Sequence, residues 1–526
     1  MPDATSNPYD TLVYPGFALT QAHPDRLATL ATLFGMAPTD ISHCRVLELG
    51  CGDGVNLIGV ALELPEATCV GVDLAAAGIK KGQSLVHELG LKNITLQQCD
   101  MMDIGRDFGQ FDFIIAHGVY SWVPASVRDK ILTICKENLA ANGVAYVSYN
   151  TYPGCHLRDM MRNMMTYHVR DFSDPQQQID ESRALMRFLV EAGMGNEQYQ
   201  KSLQKECESI LMRSDHAFFH DDLGEINTPV YFYQFVEHAT QHGLQYLSEA
   251  DFVEIQLGVC PPKVVEVLKQ ISGNRIAQEQ YLDFLKGRRF RQTLLCHTGT
   301  KLDDEPRMDN LQRFSVSSQL RPETTPVDCS SRQAAVFLGT EGRSIKTENP
   351  LMKAALLTLS KAWPQAVHFH DLLHEARTLC GRVSAQNGEA LSHDVQVLAA
   401  SLLRAYAGTT VEFHVCPPRF VSQPSERPIA SPLARLQARE EEKVMNLRHE
   451  DVAIEGIFER HLLQLLDGSR DRSALLDDLS QLIESGNPTV QKDGEPITDL
   501  AITRQTIATA LEEKLVEIGR KALLVA

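Results

Sequence analysis

A doubly wound α/β fold, interrupted by a helical insertion and followed by two smaller α+β units, is predicted by three observations in the sequence. Five apolar strands alternate with helical patterns between residues 45 and 149. The first of these strands runs directly into the glycine-rich turn Gly50-Cys51-Gly52-Asp53-Gly54. After residue 300 the order helix, turn, helix, helix, closing strand occurs twice, which is a winged-helix order.

The glycine turn is the most informative stretch. The strand Val46-Leu47-Glu48-Leu49 precedes it and the helical pattern Val55 to Ala61 follows it. Alternate glycines let the backbone turn tightly and approach a ligand, while the helix start directs unpaired N–H groups at the same place. The next strand ends in Asp73, where a carboxylate can accept hydrogen bonds from both ribose hydroxyls. A dinucleotide site requires G-x-G-x-x-G. Here the run is Glu48-x-Gly50-x-Gly52-x-Gly54, and its carboxylate would repel a pyrophosphate but suit a ligand carrying an ammonium and a sulfonium. That combination favours S-adenosylmethionine. The run resembles the first motif of the Rossmann-like class I methyltransferases, and Asp73 matches their ribose-binding acid. The resemblance extends to Asp100-Met101-Met102 after the third strand, where it implies an acid on the adenine amino group and a side chain packed on the ring. The cofactor positions so implied are Glu48, Gly50, Cys51, Gly52, Gly54, Asp73, Leu74, Asp100, Met101, Met102 and His117.

Taken in order, residues 1–24 form an N-terminal arm rich in aromatics and turn residues, which either folds over the cofactor as a lid or only packs on a neighbouring surface. Residues 25–154 are the first part of the methyltransferase domain, opening with a helix from His23 to Gly35 that has proline at its start and glycine at its end. Its strands are read as Arg45 to Gly50, Thr68 to Asp73, Ile94 to Gln98, Phe111 to His117 and Gly143 to Tyr149. Ligands of such sheets bind at the carboxyl ends of the strands. The fourth strand therefore delivers His117, Tyr120 and Trp122, and the fifth Tyr149 and Tyr152, to the reacting group; these five are the candidate catalytic residues. Residues 155–229 are charged and helical, an insertion where a sixth strand is due. Residues 230–300 return to the sheet with a helix at Tyr231 to Ala239 and strands at Leu244 to Leu247 and Phe290 to His297. A polar linker from Thr298 to Pro306 leads to a middle winged-helix-like unit, 301–420, and a C-terminal one, 421–526.

Composition narrows the partners. The formal charge is −18, and residues 421–526 carry 19 Asp and Glu against 13 Lys and Arg, so no nucleic-acid partner is expected and the winged units are read as packing or protein-contact modules. No apolar run reaches membrane-spanning length, the start lacks a secretory pattern, and the 12 cysteines form no C-x-x-C pair. A cytoplasmic chain without stable membrane insertion is expected. His368-x-His370-Asp371 with His374 could suggest a metal, but such a cluster at a helix start reads as a cap and a solvated face, so no metal site is assigned.

Further stretches carry a narrower resemblance: Tyr9 to Arg26, His117 to Pro124, Tyr149 to Gly154, and Asp221-Asp222-Leu223-Gly224-Glu225-Ile226-Asn227 through Phe232. They resemble the rickettsial-type outer-membrane-protein lysine methyltransferases, the last stretch looking like that family's methyltransferase regulatory domain. The resemblance spans nearly the whole chain. It implies a protein substrate presenting lysine and a homodimer built through the helical insertion and the arm. A small-molecule methyltransferase, or a cofactor-binding regulator without turnover, is the alternative. No Asn or Asp followed by Pro-Pro-Tyr follows the fourth strand, which speaks against planar amide and exocyclic amine acceptors. A lysine amine must lose its proton before it can attack a methyl group, and an aromatic pocket of Tyr120, Trp122, Tyr149 and Tyr152 would favour the neutral amine by desolvation. His117 is the loop side chain with a pKa suited to taking that proton, or else it hydrogen-bonds the cofactor or backbone.

Overall fold

The computed structural model describes residues 15–340, 342–382, 388–484, 491–492, 495–496 and 500–526. The arm from Tyr9 to Tyr14 lies outside the described residues.

Seven strands form the central sheet: β1 (Arg45–Leu49), β2 (Thr68–Asp73), β3 (Ile94–Gln98), β4 (Phe111–Ala116), β5 (Leu139–Asn150), β6 (Leu244–Glu249) and β7 (Phe290–His297), in the order β3-β2-β1-β4-β5-β7-β6. The first five are parallel, and β7 runs antiparallel between β5 and β6. The strand side chains alternate between two cores, as pleating requires. Val46, Phe113, Val144 and Tyr146 pack with α1 (Pro24–Leu33) and α2 (Val55–Glu63). Leu47, Ile114, Ala145 and Tyr149 face the other core, with α4 (Ala125–Glu137) and α8 (Phe232–Gln241). α3 (Ala76–Leu89) links β2 to β3.

β4 stops at Ala116, one residue short of the expected end. Gly118 then takes a left-handed conformation and donates its N–H to Ser148 Oγ, which turns His117 out of the sheet. The insertion folds as α5 (Cys155–Val169), α6 (Pro175–Ala192) and α7 (Glu197–Leu211) around a core of Met161, Met165, Met186 and Phe218.

The segment Thr298 to Pro306 is not a free tether. Asp303 N–H bonds Phe34 O and Arg307 N–H bonds Leu33 O, so the segment is docked on the end of α1. Beyond it, helices at Pro350–Ala362, Phe369–Leu379 and Gly388–Ala407 and a strand at Glu412–His414 form the middle unit. Its Phe314, Tyr406 and Phe413 share one core with α1 and the sheet, because the apolar outer face of α1 needs a cover. His368 caps the second of these helices, its Nδ1 accepting the His370 N–H. The last unit has helices at Gly456–Leu465, Arg472–Glu484 and Leu500–Arg520, a hairpin of Lys443–Met445 and Asp451–Ala453, and its own core. Among the described residues no helix is long and apolar enough to cross a membrane.

Candidate functional site

A cavity of about 430 Å³ lies along the carboxyl edge of the sheet, a size suited to a small ligand. Its lining follows the strand order: Asp73 from β2, Glu48 and the glycine turn from β1, His117 and Trp122 after β4, Asn150 from β5 and Phe290 from β7. At about 4.8 Å per strand, that row is nearly 20 Å long. Pro15, Gly16 and Phe17 of the arm complete the wall on one side, and Arg158, Arg213, His220 and Asp221 of the insertion complete the other.

At the glycine end the backbone is folded back on itself. Gly52 has φ +58, and the direction a side chain would take there meets no atom within 4 Å, so a Cβ would strain the backbone and occupy ligand space. Gly52 N–H donates to Asp73 Oδ2 at 2.8 Å, and Ala75 N–H to Asp73 Oδ1. Gly54 does not line the cavity; it is the left-handed N-cap of α2, packed against Leu96.

Asp53, not foreseen as a site residue, is buried under the turn. Its carboxylate accepts from Val55 N–H, Gly16 N–H and Lys81 Nζ, tying the arm to the glycine turn. Glu48 is 3% exposed. Asn56 Nδ2 donates to its Oε1 at 3.1 Å, while its Oε2 has no hydrogen-bond partner among the described residues. Burial, with Asp53 and Asp73 adding to it, pushes its carboxyl up to about 8.

The aromatic wall differs from expectation. His117 lies between Phe17 and Phe290, with ring centroids 6.2 and 5.9 Å away, and its Nδ1 is 2.8 Å from Tyr146 Oη. Burial lowers it to about 4, so it is neutral near pH 7. Trp122 lines the cavity with its buried Nε1 lacking a partner among the described residues. Tyr120 and Tyr149 do not reach the cavity. Both fall on the α8 face of the sheet, where Tyr149 stacks on Phe235 at 4.1 Å and bonds Thr293, and Tyr120 Oη bonds His238 Nδ1 at 2.7 Å. Tyr152 also stands outside it, stacked on His156 and bonded to Asp159 Oδ2. Leu74, Asp100, Met101 and Met102 lie at the ends of β2 and β3 beyond the cavity rim; Leu74 and Met102 are exposed, and Asp100 caps the turn that carries both methionines.

Sequence reasoning missed the insertion's contribution. Asp222, fully buried, clamps Arg158 Nε at 2.9 Å and Arg213 Nη1 at 2.9 Å, and Arg289 pairs with Glu206 of α7. Asp221 lines the cavity beside Arg158, Arg213 and Arg289, its Oδ2 3.7 Å from Arg213 Nη1 and its carboxyl raised by burial. The stretch from Asp221 to Asn227 carried a signal through its resemblance, but nothing in its spacing pointed to the sheet edge. The arrangement has carboxylates at the glycine end of a partly aromatic trough, which suits a cationic ligand there, and Asp221 set among Arg158, Arg213 and Arg289 at the other end.

Three family profiles match the chain: "Methyltransferase domain" over residues 40–205, "Predicted methyltransferase regulatory domain" over 214–297, and "PKMT, C-terminal winged helix domain" over 426–523. An uncharacterised protein of Rickettsia prowazekii is 34% identical over 532 residues, covering 99% of this chain and 94% of the relative. Among solved structures, PKMT2 from Rickettsia typhi superposes with TM-score 0.87 at 28% identity, over 98% of this chain and all of the other. The same protein in complex with AdoHcy gives 0.86 at 29% identity.

Proposed function

The chain belongs to the PKMT family of S-adenosylmethionine-dependent protein lysine methyltransferases, and from that premise we propose that it transfers methyl groups to lysine amines of a protein by direct displacement. The carrying observation is the trough itself, with the unpartnered Glu48 Oε2 at one end and Asp221 at the other, joined by Phe17, His117, Trp122 and Phe290.

The residues present fit the cofactor. Glu48 Oε2 offers an acceptor to the ammonium, Asp73 stands where the ribose is expected, Gly52 leaves room for close approach while Gly50 lets the turn pass under Val119, and Asp100 with Met101 or Met102 stands just beyond the rim for the adenine. When bound, S-adenosylmethionine supplies a methyl group activated by its sulfonium. The chain's part is to bind, orient and dry the acceptor. The aromatic wall disfavours an ammonium by desolvation and so favours the neutral amine. His117 is too weak a base to take that proton: a lysine at about 10.4 lies some six units above it, roughly 8 kcal/mol uphill. Its role is as part of the wall. Asp221, set beside Arg158 and Arg213, is the carboxylate that the acceptor's amine meets at that end.

Two further features belong to the same reading. Exposed Tyr167, Phe188, Met194 and Met212 on the insertion support a homodimer formed there. All 12 cysteines are unpaired, which supports a reducing cytoplasm.

The test is incubation of the full chain with isotopically labelled S-adenosylmethionine and a bacterial extract, followed by mass spectrometry. Label on lysine Nζ of proteins is the expected result. Label confined to small molecules would overturn the acceptor class while leaving the cofactor assignment intact.

A further inference from the structure

Asn56, in the first turn of α2, is buried behind the glycine turn, and its amide faces three parts of the chain. Oδ1 accepts the Leu19 N–H of the arm at 3.0 Å and lies 2.8 Å from His449 Nε2; Nδ2 donates to Glu48 Oε1 at 3.1 Å. A backbone N–H can only donate, so the atom facing Leu19 is the oxygen, and the amide has one permitted orientation. It follows that His449 carries a proton on Nε2.

His449 belongs to the C-terminal unit, in the turn between the strands Lys443–Met445 and Asp451–Ala453. It holds φ +57, and the turn is pinned by Asn446 Oδ1, which accepts the N–H groups of Arg448 and Glu450. The hairpin is pressed onto α2: a Cβ at Gly59 would lie 2.3 Å from Met445 Sδ and 2.9 Å from His449 Cε1. On its far side, His449 Nδ1 is 3.2 Å from Glu63 Oε1, and Glu63 Oε2 is 3.3 Å from His23 Nε2. The Asp25 N–H donates to His23 Nδ1, which places the His23 proton on Nε2, facing Glu63. Glu63 therefore sits between the two imidazoles, within 3.3 Å of a ring nitrogen of each. The same hairpin holds the arm, since Thr20 Oγ1 donates to His449 O at 2.6 Å and Ala18 N–H to the Asp451 carboxylate.

We propose that His449 is a positioning residue for the cofactor, holding the Asn56 amide so that Glu48 is fixed by one oxygen and presents the other to the cofactor's ammonium. The C-terminal unit is thereby a working part of the cofactor site, although none of its described residues lines the cavity. The inference rests on the cofactor reading above.

The test compares two ligands on the full-length chain by calorimetry: S-adenosylhomocysteine, which carries the ammonium, and 5′-methylthioadenosine, which lacks it. His449→Asn keeps a residue that tolerates the left-handed backbone but withdraws the ring nitrogen. It is expected to weaken S-adenosylhomocysteine about tenfold, as for a lost hydrogen bond that supports a charged group, and to change 5′-methylthioadenosine by less than about twofold. Glu48→Gln should show the same selectivity, and the double variant should bind S-adenosylhomocysteine no worse than Glu48→Gln alone. Equal losses for both ligands, no loss in either, or additive losses in the double variant would each overturn the positioning role. A wild-type chain that fails to bind S-adenosylhomocysteine would overturn the cofactor reading instead.

Discussion

Asp53 Oδ2 accepts the N–H of Gly16 at 3.3 Å and thereby joins the N-terminal arm to the turn that must hold the cofactor. The contact is tight, because a Cβ on Gly16 would fall 2.1 Å from Asp53 Oδ1. Asp53→Ala loosens the arm at Gly16, leaving its ties at Ala18, Leu19 and Thr20, and leaves the first N–H of α2 without its side-chain acceptor. The expected cost is about 1 kcal/mol of stability, the scale of a lost helix cap. Limited proteolysis should cut the arm faster in the variant, and saturating S-adenosylhomocysteine should restore less protection than in the wild type. An unchanged cleavage rate would remove the clasp.

Glu48 predicts a proton linkage. With no cation beside it, its carboxyl is raised by burial to about 8 from an ordinary 4.5, so near pH 7 it is protonated; an ammonium beside it favours the ionised form. Cofactor binding at pH 7 should therefore release close to one proton, seen as a dependence of the calorimetric enthalpy on buffer ionisation, and Glu48→Gln should abolish that dependence. The stability of the empty protein has a definite sign too. A carboxyl raised on folding keeps a proton that the unfolded chain has lost, so its contribution falls as pH rises from about 4.5 to about 8 and is level above that. Glu48→Gln should equal the wild type near pH 4 and exceed it near pH 9, by an amount of order a few kcal/mol. A difference of opposite slope would contradict the burial of this carboxyl.

The two aromatic groups separate by position. Tyr149 is fully buried against Phe235, so Tyr149→Ala should cost about 3 to 5 kcal/mol in a melting experiment and lower every activity together. Trp122 faces the cavity and is only partly buried. Trp122→Ala should leave S-adenosylhomocysteine affinity within about threefold while kcat/KM for the protein acceptor falls more steeply, because the contacts it loses are to the acceptor. Full turnover in Trp122→Ala would take that residue out of the acceptor wall.

The sheet was legible because each of its strands is a local pattern: an apolar run, a turn residue and a following helix. The glycine end of the site was legible for the same reason, since Glu48, Gly52 and Asp73 all sit at strand ends whose positions the alternation sets. The facing of Tyr149 could have been read as well, because Ala145, Val147 and Tyr149 alternate with Val144 and Tyr146, but assigning the aromatic loops to one pocket ignored that period. What no local pattern contains is the pairing of distant elements. Asn56 and His449 are 393 positions apart, and neither Arg158 nor Asp221 announces that the insertion folds back over the sheet edge.

His117 gives the last prediction. Its ring packs against Tyr146, Phe290 and Phe17, no carboxylate among the described residues is bonded to it, and burial keeps it neutral down to about pH 4. If the amine loses its proton to solvent on entering the trough, kcat/KM should rise with pH toward the pKa of the acceptor lysine, with no inflection between 5 and 7 from this ring. His117→Gln would then lower the rate at every pH by a similar factor, through loss of packing in the wall, and leave the shape of the profile unchanged. A general base would behave differently: the wild-type profile would carry an inflection at the pKa of the ring, and the substitution would erase it. Measuring both profiles with one lysine-containing protein substrate decides between a wall and a base.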